Sequence, residues 1–359
     1  MPGVELAVTG LVKRYSSHVS VGPISFEVME GEFFSLLGPS GCGKTTTLRC
    51  IAGFEATSEG AITLNGKRLD HMPPNRRDVG LVFQNYALFP HLTVFDNVSF
   101  GLRLRRLAKR EIEERVARIL EVVGLPHLAS RYPTQLSGGQ QQRVAIARSV
   151  VLEPRLLLFD EPLSNLDFKL RLQMRSELRE LQRRLGKTSI YVTHDQTEAL
   201  ALSDRIAVLS QGRIEQIGRP VDIYEAPETA FVADFIGNSN MMEVSVEAKT
   251  RSGTVMRAKS GLQLTGPVIS EGVGSSLRVL VRPEHIRLRA TREDDTPNCM
   301  TAEIVDFTYL GEDVHLRVAI AGGGELLVAL KSGRATRNLE CGRSIELAID
   351  PSDVHVLRK

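Results

Sequence analysis

Residues 38–45 read Gly38-Pro39-Ser40-Gly41-Cys42-Gly43-Lys44-Thr45. Glycines at these spacings let a backbone curl until several N–H groups face one point, which is how a loop holds an anion. Lys44 adds a point charge suited to β- and γ-phosphate oxygens, and the Thr45 hydroxyl can ligate Mg²⁺. The order G-x-x-x-x-G-K-[ST] is a phosphate-binding loop when a strand precedes it and a helix follows. Here Phe33–Leu37 is the strand, and Thr46 opens a helix-like segment to Ala52. The helix N-terminus adds partial positive charge. Cys42 fits as a small filler, or as a thiol whose modification would block the phosphate loop.

A second group follows at Leu156-Leu157-Leu158-Phe159-Asp160-Glu161, four apolar residues ending in two carboxylates. Ligands of α/β sheets bind at the carboxyl ends of strands. Asp160 is then placed to hold Mg²⁺ and Glu161 to accept a proton from an attacking water. Alone, the pair also reads as helix-capping acids. A third group is Leu136-Ser137-Gly138-Gly139-Gln140, ahead of a helix through Val144, Ala147 and Val151. Ser137-x-x-Gln140 is a capping box. Two glycines in a first helical turn cost roughly 1 kcal/mol each against Ala. Tolerating that cost implies close approach of something to the backbone, and a phosphate fits.

The elements that must position these groups alternate. Val79–Phe83, Leu156–Phe159 and Ser189–Val192 are short, nearly continuous apolar runs, as strands buried on both faces are. Between them lie one-sided helical patterns. Ile112, Val116, Ile119, Leu120 and Val123 end at Gly124, and Leu170, Met174, Leu178, Leu181 and Leu185 end at Gly186. Glycine is a natural stop for a helix. The alternation predicts an α/β domain with a mixed, mainly parallel sheet. Asn65-Gly66 and Gln211-Gly212 predict hairpins, so antiparallel strands lie near 4–30, 61–69 and 205–217. The polar face of the helix at 169–185 is rich in arginine and reads as a solvated face or a membrane contact. After Gly237-Asn238-Ser239-Asn240 helical periodicity fades. Leu277/Val279/Val281, Val314/Leu316/Val318/Ile320 and Ile345/Leu347/Ile349 alternate instead, which predicts a small β-barrel or sandwich.

The whole chain sets bounds on these readings. At 359 residues it has room for two or three domains. Lys plus Arg number 45 against 43 Asp plus Glu, so no bulk basic field attracts nucleic acid. No run of eighteen apolar residues exists to span a membrane as a helix. Met1–Val8 lacks the basic start of a signal peptide and carries Glu5. Cys42, Cys50, Cys299 and Cys341 have no metal-binding spacing, and a reduced compartment is the simplest setting.

With these residues in view, the chain resembles the ATP-binding subunits of ABC transporters over residues 4–239. The Leu136–Gln140 stretch is similar to the family signature. Tyr15 is placed like the aromatic residue that stacks on adenine, though it also fits a surface tyrosine. Gln84 resembles the Q-loop glutamine near Mg²⁺ and the attacking water, or an ordinary loop amide. Ser164-Asn165-Leu166-Asp167 is similar to the D-loop, and His194 to the switch histidine, or to a satisfied strand-end histidine. The resemblance implies a P-loop NTPase ABC domain over residues 1–239, with a helical subdomain at about 85–155. It implies that two copies sandwich two ATP molecules head to tail, so that Ser137, Gly138, Gly139 and Gln140 of one chain close the site of the other. A homodimer is the economical form.

The segment 240–359 resembles the OB-like regulatory domain of polyamine, ferric-iron and maltose importer ATPases, through Val281-Arg282-Pro283-Glu284-His285-Ile286 and Tyr309-Leu310-Gly311. Gln84–Thr93 resembles the same group, where apolar side chains form a groove for a helix of the membrane subunit; a buried loop is the other reading. An importer ATPase implies two transmembrane permease subunits, an extracytoplasmic solute-binding protein, and a peripheral place on the cytoplasmic face of the membrane. Polyamine is the first expectation for the solute. Ferric iron, sulfate, phosphonate, sugar and a non-transport ABC ATPase are the alternatives. No nucleic acid is expected as a partner.

Overall fold

The structure, a computed structural model, describes residues 3–15, 20–251, 253–289 and 298–357. Residues 16–19 of the segment expected as antiparallel strand, and 252, 290–297, 358 and 359 of the expected β domain, lie outside the described residues. The chain divides into two compact units, Met1–Val221 and Asp222–Lys359.

In chain order the first unit runs β1 (Val4–Arg14), β2 (Ser20–Met29), β3 (Phe33–Leu37), α1 (Lys44–Ala52), β4 (Glu59–Leu64), β5 (Lys67–Arg68) and β6 (Val79–Val82). Three helices follow: α2 (Val94–Leu104), α3 (Lys109–Val122) and α4 (Gly138–Val150). Then come β7 (Leu156–Asp160), α5 (Phe168–Leu185), β8 (Thr188–Thr193), α6 (Gln196–Leu202), β9 (Arg205–Ser210) and β10 (Arg213–Gly218), with α7 (Pro220–Glu225) across the boundary.

The central sheet has the order β10-β9-β3-β8-β7-β6. Its pairs are parallel except β9 with β10, which the Gln211-Gly212 turn joins. A second sheet, β2-β1-β4-β5, is antiparallel. The central sheet matches the mixed, mainly parallel expectation, and the second sheet supplies the antiparallel strands expected near 4–30 and 61–69. The continuous apolar runs have a simple cause. Successive strand residues face opposite ways, and both faces of β7 are buried. Leu157 and Phe159 enter one core with Phe33, Tyr191 and the helices α2–α4, while Leu156 and Leu158 enter another with Phe34, Ile190 and Leu48. Gly124 (φ 72°) and Gly186 (φ 59°) follow α3 and α5 in the left-handed region, as expected for helix stops.

The arginine face of α5 departs from both sequence readings. Arg171, Arg175 and Arg179 are largely buried and pair with Asp195 or Asp204, so that face is neither bathed in water nor free for a membrane. Arg183 and Arg184, at the end of the helix, are exposed.

The second unit begins with α8 (Ala230–Phe235) and continues through β11 (Asn240–Lys249), β12 (Thr254–Ala258), β13 (Gln263–Gly266), β14 (Ser276–Val281) and β15 (Ile286–Leu288). It ends with β16 (Cys299–Tyr309), β17 (Asp313–Ile320), β18 (Glu325–Lys331), β19 (Ser344–Ile349) and β20 (His355–Leu357). Two five-stranded antiparallel sheets result, β13-β12-β11-β14-β20 and β15-β19-β16-β17-β18. The alternating residues Val279, Val281, Val314, Leu316, Val318, Leu347 and Ile349 share their common core. This is the all-β, OB-like domain expected.

Its start falls earlier than residue 240. Residues 222–239 belong to the second unit because Arg282 reaches back to them. The buried guanidinium donates to the carbonyls of Tyr224 (2.8 Å), Ala233 (3.1 Å) and Asn238 (3.1 Å), and stacks 4.3 Å from the Tyr224 ring centroid. The next acid in the Arg-Pro-Glu segment, Glu284, accepts a hydrogen bond from the Tyr224 hydroxyl. Tyr309 and Leu310 are exposed, and Gly311 (φ 89°) forms the turn between β16 and β17. Among the described residues, no helix is long and apolar enough to cross a membrane.

Candidate active site

Strand register assembles the site. Leu37 of β3 pairs with Thr193 of β8, and Asp160 of β7 pairs with Val192 of β8. Because these strands are parallel, the residues after each one emerge at the same edge: Gly38 after β3, Glu161 after β7, His194 after β8. This is where α/β sheets take ligands.

Local chemistry shapes the phosphate loop. Gly43 caps α1 at φ 105°, and a Cβ there would lie 2.6 Å from Val21 Cγ1, so only glycine lets the chain turn into the helix. Cys42 is buried in the core with Leu36 and Leu48, and burial pushes its thiol pKa up; it acts as the small filler. Lys44 is also buried, and its ammonium donates to the carbonyls of Gly38 (2.7 Å) and Pro39 (2.9 Å) at the start of the loop. Phosphate oxygens arriving there can take over those donors. Thr46 Oγ1 lies 3.3 Å from the hydroxyl of Tyr15, whose ring is half exposed and faces the Lys13 ammonium at 5.3 Å. Among the described residues, Tyr15 therefore presents a half-exposed aromatic ring beside the helix that carries Lys44.

Thr45 and Asp160 meet as expected. The hydroxyl donates to Asp160 Oδ1 at 3.3 Å, and burial raises the Asp160 pKa. A cation would relieve that burial penalty. Among the described residues no cluster of three or more His, Cys, Asp or Glu side chains could cage a metal. One carboxylate and one hydroxyl suit Mg²⁺, which commonly takes its remaining ligands from phosphate and water. The donor set therefore fits the ion.

Glu161 sits in the left-handed region at φ 45°, which costs a β-carbon-bearing residue on the order of 1 kcal/mol or more. Its N–H donates to Val192 O (3.1 Å), and its carbonyl accepts from Ser164 N–H (3.2 Å) and Ser164 Oγ (2.8 Å). These bonds hold the strained backbone and aim the side chain at His194, whose Nδ1 is 3.0 Å from Glu161 Oε2.

The other expected site residues stand apart. Gln84 is exposed; its carbonyl accepts from Asn165 Nδ2 at 3.0 Å, tying it to the Ser164–Asp167 turn and not to Asp160. Asp167 caps α5, accepting from Leu170 N–H at 2.9 Å. Ser137 and Gln140 form the capping box of α4. The signature-like glycines are crowded by side chains of this same chain. A Cβ on Gly138 would lie 2.9 Å from Leu166 Cδ2, and one on Gly139 would lie 2.8 Å from Met174 Sδ. The close approach inferred from the sequence exists, but within this chain α5 and the turn before it supply it.

Sequence reading missed two supports. Arg148 of α4 donates to the carbonyls of Tyr86 (2.9 Å) and Ala87 (2.6 Å), both left-handed, and covers the Phe89 ring at 5.6 Å. It shapes one wall of a groove of about 430 Å³ lined by Phe83, Phe89, Phe100 and Leu152. Asp195 caps α6 and binds Arg175 of α5 at 2.9 Å. The Asp195-x-x-Glu198 spacing after His194 was the signal for the cap.

Comparison with known proteins identifies the family. Residues 21–164 match the ABC transporter family model, and residues 279–357 match the TOBE domain model. A spermidine/putrescine import ATP-binding protein of Trichodesmium erythraeum is 48% identical over 326 residues, covering 88% of this chain and 85% of its own. Proteins of the same description from Roseobacter denitrificans (49%, covering 94% and 91%) and Rubrobacter xylanophilus (45%, covering 97% and 92%) are similarly close. Among solved structures, cbiO1 from Clostridium perfringens, part of the ABC transporter complex cbiONQ, superposes with a TM-score of 0.58 at 33% identity, covering 62% of this chain and 90% of that one. With its sequence 45–49% identical to these relatives over 88–97% of its length, the chain belongs to the family of ATP-binding subunits, the ATPases, of ABC importers.

Proposed function

We propose that this ATPase drives uptake of the polyamines spermidine and putrescine, as a head-to-tail homodimer on two permease subunits at the cytoplasmic face of the membrane, with an extracytoplasmic binding protein delivering the solute. The solute is supported by relatives described as spermidine/putrescine import ATP-binding proteins at 45–49% identity over most of the chain. The mechanism is carried by one observation, the convergence of Lys44, Thr45, Asp160, Glu161 and His194 at neighbouring strand ends.

In this reading Tyr15 stacks on adenine. The backbone of residues 38–43 and Lys44 hold the phosphates, with Thr46 beside them. Thr45 and Asp160 would hold Mg²⁺, with Gln84 as the further expected ligand, and the ion would supply charge neutralisation on the phosphates. Glu161 accepts the proton of the attacking water, and His194 steadies that carboxylate. Ser137, Gly138, Gly139 and Gln140 reach the nucleotide of the partner copy, and Asp167 lies at the dimer seam. The aromatic groove beside Arg148 takes a helix of the permease, and the C-terminal β domain regulates the cycle.

The test is uptake of labelled putrescine, spermidine, ferric iron, sulfate, a phosphonate and maltose by cells lacking the protein. Loss of polyamine uptake alone, restored by the wild type and not by Lys44→Ala, is the expected result. Loss of a different uptake would overturn the solute, and no loss at all would overturn the import role.

A further inference from the structure

Two loops of the first unit meet on a single guanidinium. Arg171, in the first turn of α5, donates through one terminal nitrogen to the carbonyls of Ser164 (3.4 Å) and Leu166 (3.0 Å), in the turn before that helix. Its other terminal nitrogen lies 3.6 Å from Asp195 Oδ2. Asp195 directly follows His194, whose ring contacts Glu161 at 3.0 Å. Ser164 in turn donates twice to the carbonyl of Glu161. The ring of contacts therefore runs Glu161, Ser164, Arg171, Asp195, His194 and back to Glu161.

Neighbouring groups show which link is Arg171's own. Arg175 holds the same Asp195 oxygen at 2.9 Å, and Asp195 Oδ1 accepts from Thr197 Oγ1 (2.6 Å) and Glu198 N–H (3.1 Å). The loop carrying His194 is thus anchored without Arg171. Glu198 is buried and satisfied by Tyr191 (2.8 Å) and Thr193 (2.7 Å), with Arg171 Nε 3.9 Å from its second oxygen. Among these groups, Arg171 alone reaches both loops, through hydrogen bonds to the 164–167 turn and an ion pair with Asp195 of the histidine loop. A planar fork aims its two terminal nitrogens in fixed, separate directions, whereas an ammonium gathers its donors at one point on a flexible stem.

We propose that Arg171 is a positioning residue that couples the Ser164–Asp167 turn to His194, so that displacement of that turn alters the Glu161–His194 contact. The proposal rests on the roles given above to Glu161 and His194. In a head-to-tail dimer the turn meets the second copy, and Arg171 then carries the state of the dimer seam to the proton-accepting pair.

A mutant cycle on the purified full-length chain tests it, using Arg171→Met, Arg171→Lys, His194→Ala and the Met/Ala double variant. Single-turnover hydrolysis with Mg²⁺ and ATP keeps slow rates readable, steady-state kinetics give KM for ATP, and thermal unfolding monitors folding. Arg171→Met should lower the hydrolysis rate about tenfold with KM for ATP within about twofold. Arg171→Lys should recover part of that loss. In the His194→Ala background, Arg171→Met should cost less than about twofold more, because both act through one contact. If Arg171→Met does not fold, Arg171→Lys takes its place in the cycle. Full additivity, or a loss confined to KM, overturns the proposal while leaving the site reading intact. A His194→Ala variant that hydrolyses like the wild type overturns the site reading, and this proposal with it.

Discussion

His194 Nδ1 and Glu161 Oε2 stand 3.0 Å apart, although they are 33 positions apart in the chain. The contact joins the end of β8 to the end of β7. It depends on a glutamate held at φ 45° by its own backbone bonds. A strained, pinned carboxylate beside a histidine is what a proton acceptor for water requires, because little rearrangement is left for the reaction itself.

Removing the charge from that carboxylate should separate binding from turnover. Glu161→Gln keeps the shape of the site and should retain ATP binding while hydrolysis falls by about a hundredfold or more. Lys44→Ala should lose both. Binding of a fluorescent ATP analogue beside steady-state hydrolysis checks the pair; near-normal turnover in Glu161→Gln would remove it as the base.

Arg77 should matter for stability and not for chemistry. Its buried guanidinium donates to Cys50 O (2.6 Å), Ile51 O (2.8 Å) and Met72 O (2.8 Å), closing the end of the helix that carries Lys44. Arg77→Met strands those carbonyls and should cost about 2–4 kcal/mol. Urea denaturation measures it, and a change below about 0.5 kcal/mol would refute the assignment.

Gly139→Ala sets two effects against each other. Alanine gains about 1 kcal/mol in helix propensity. The new Cβ would lie 2.8 Å from Met174 Sδ, and overpacking costs about 1–3 kcal/mol. Net destabilisation is expected. In a Met174→Ala background the clash is gone, so the same change should be neutral or stabilising. A drop in unfolding temperature of equal size in both backgrounds would contradict this packing account.

Cys50 should make the fold alkali-sensitive. Burial pushes its pKa from 9.0 up to about 11. Its contribution is fully present below pH 9. Between pH 9 and about 11 the unfolded chain releases this proton and the folded chain keeps it, so stability declines by up to about 1.4 kcal/mol per pH unit. Chemical denaturation of wild type and Cys50→Ala across that window should show a steeper decline in the wild type. Parallel curves would exclude Cys50 as the cause.

The expected elements form because their signals are local. The Leu156–Phe159 run reads as a two-face strand because both neighbouring cores need it, and Gly124 and Gly186 stop helices for want of a β-carbon. The misread positions have partners far along the chain. Arg171, Arg175 and Arg179 looked like a solvated stripe because Asp195 and Asp204 lie on other elements. Residues 222–239 looked like the tail of the first domain because Arg282, which binds their carbonyls, comes more than forty positions later. The signature glycines announced a close approach without saying what approaches.

Local sequence was enough to read a glycine-rich loop of phosphate-binding pattern, a carboxylate pair on a strand end, a capped glycine helix and a histidine after a strand. Each is a short motif whose function follows from residue type and spacing within one turn or one strand. It took the folded chain to show that Thr45 and Asp160, 115 positions apart, meet at 3.3 Å, and that Arg171 contacts two loops at once, by hydrogen bond and by ion pair. The reason is that neighbours across a parallel sheet are set by strand order and register. Those come from how whole faces bury against one another, which no local periodicity encodes.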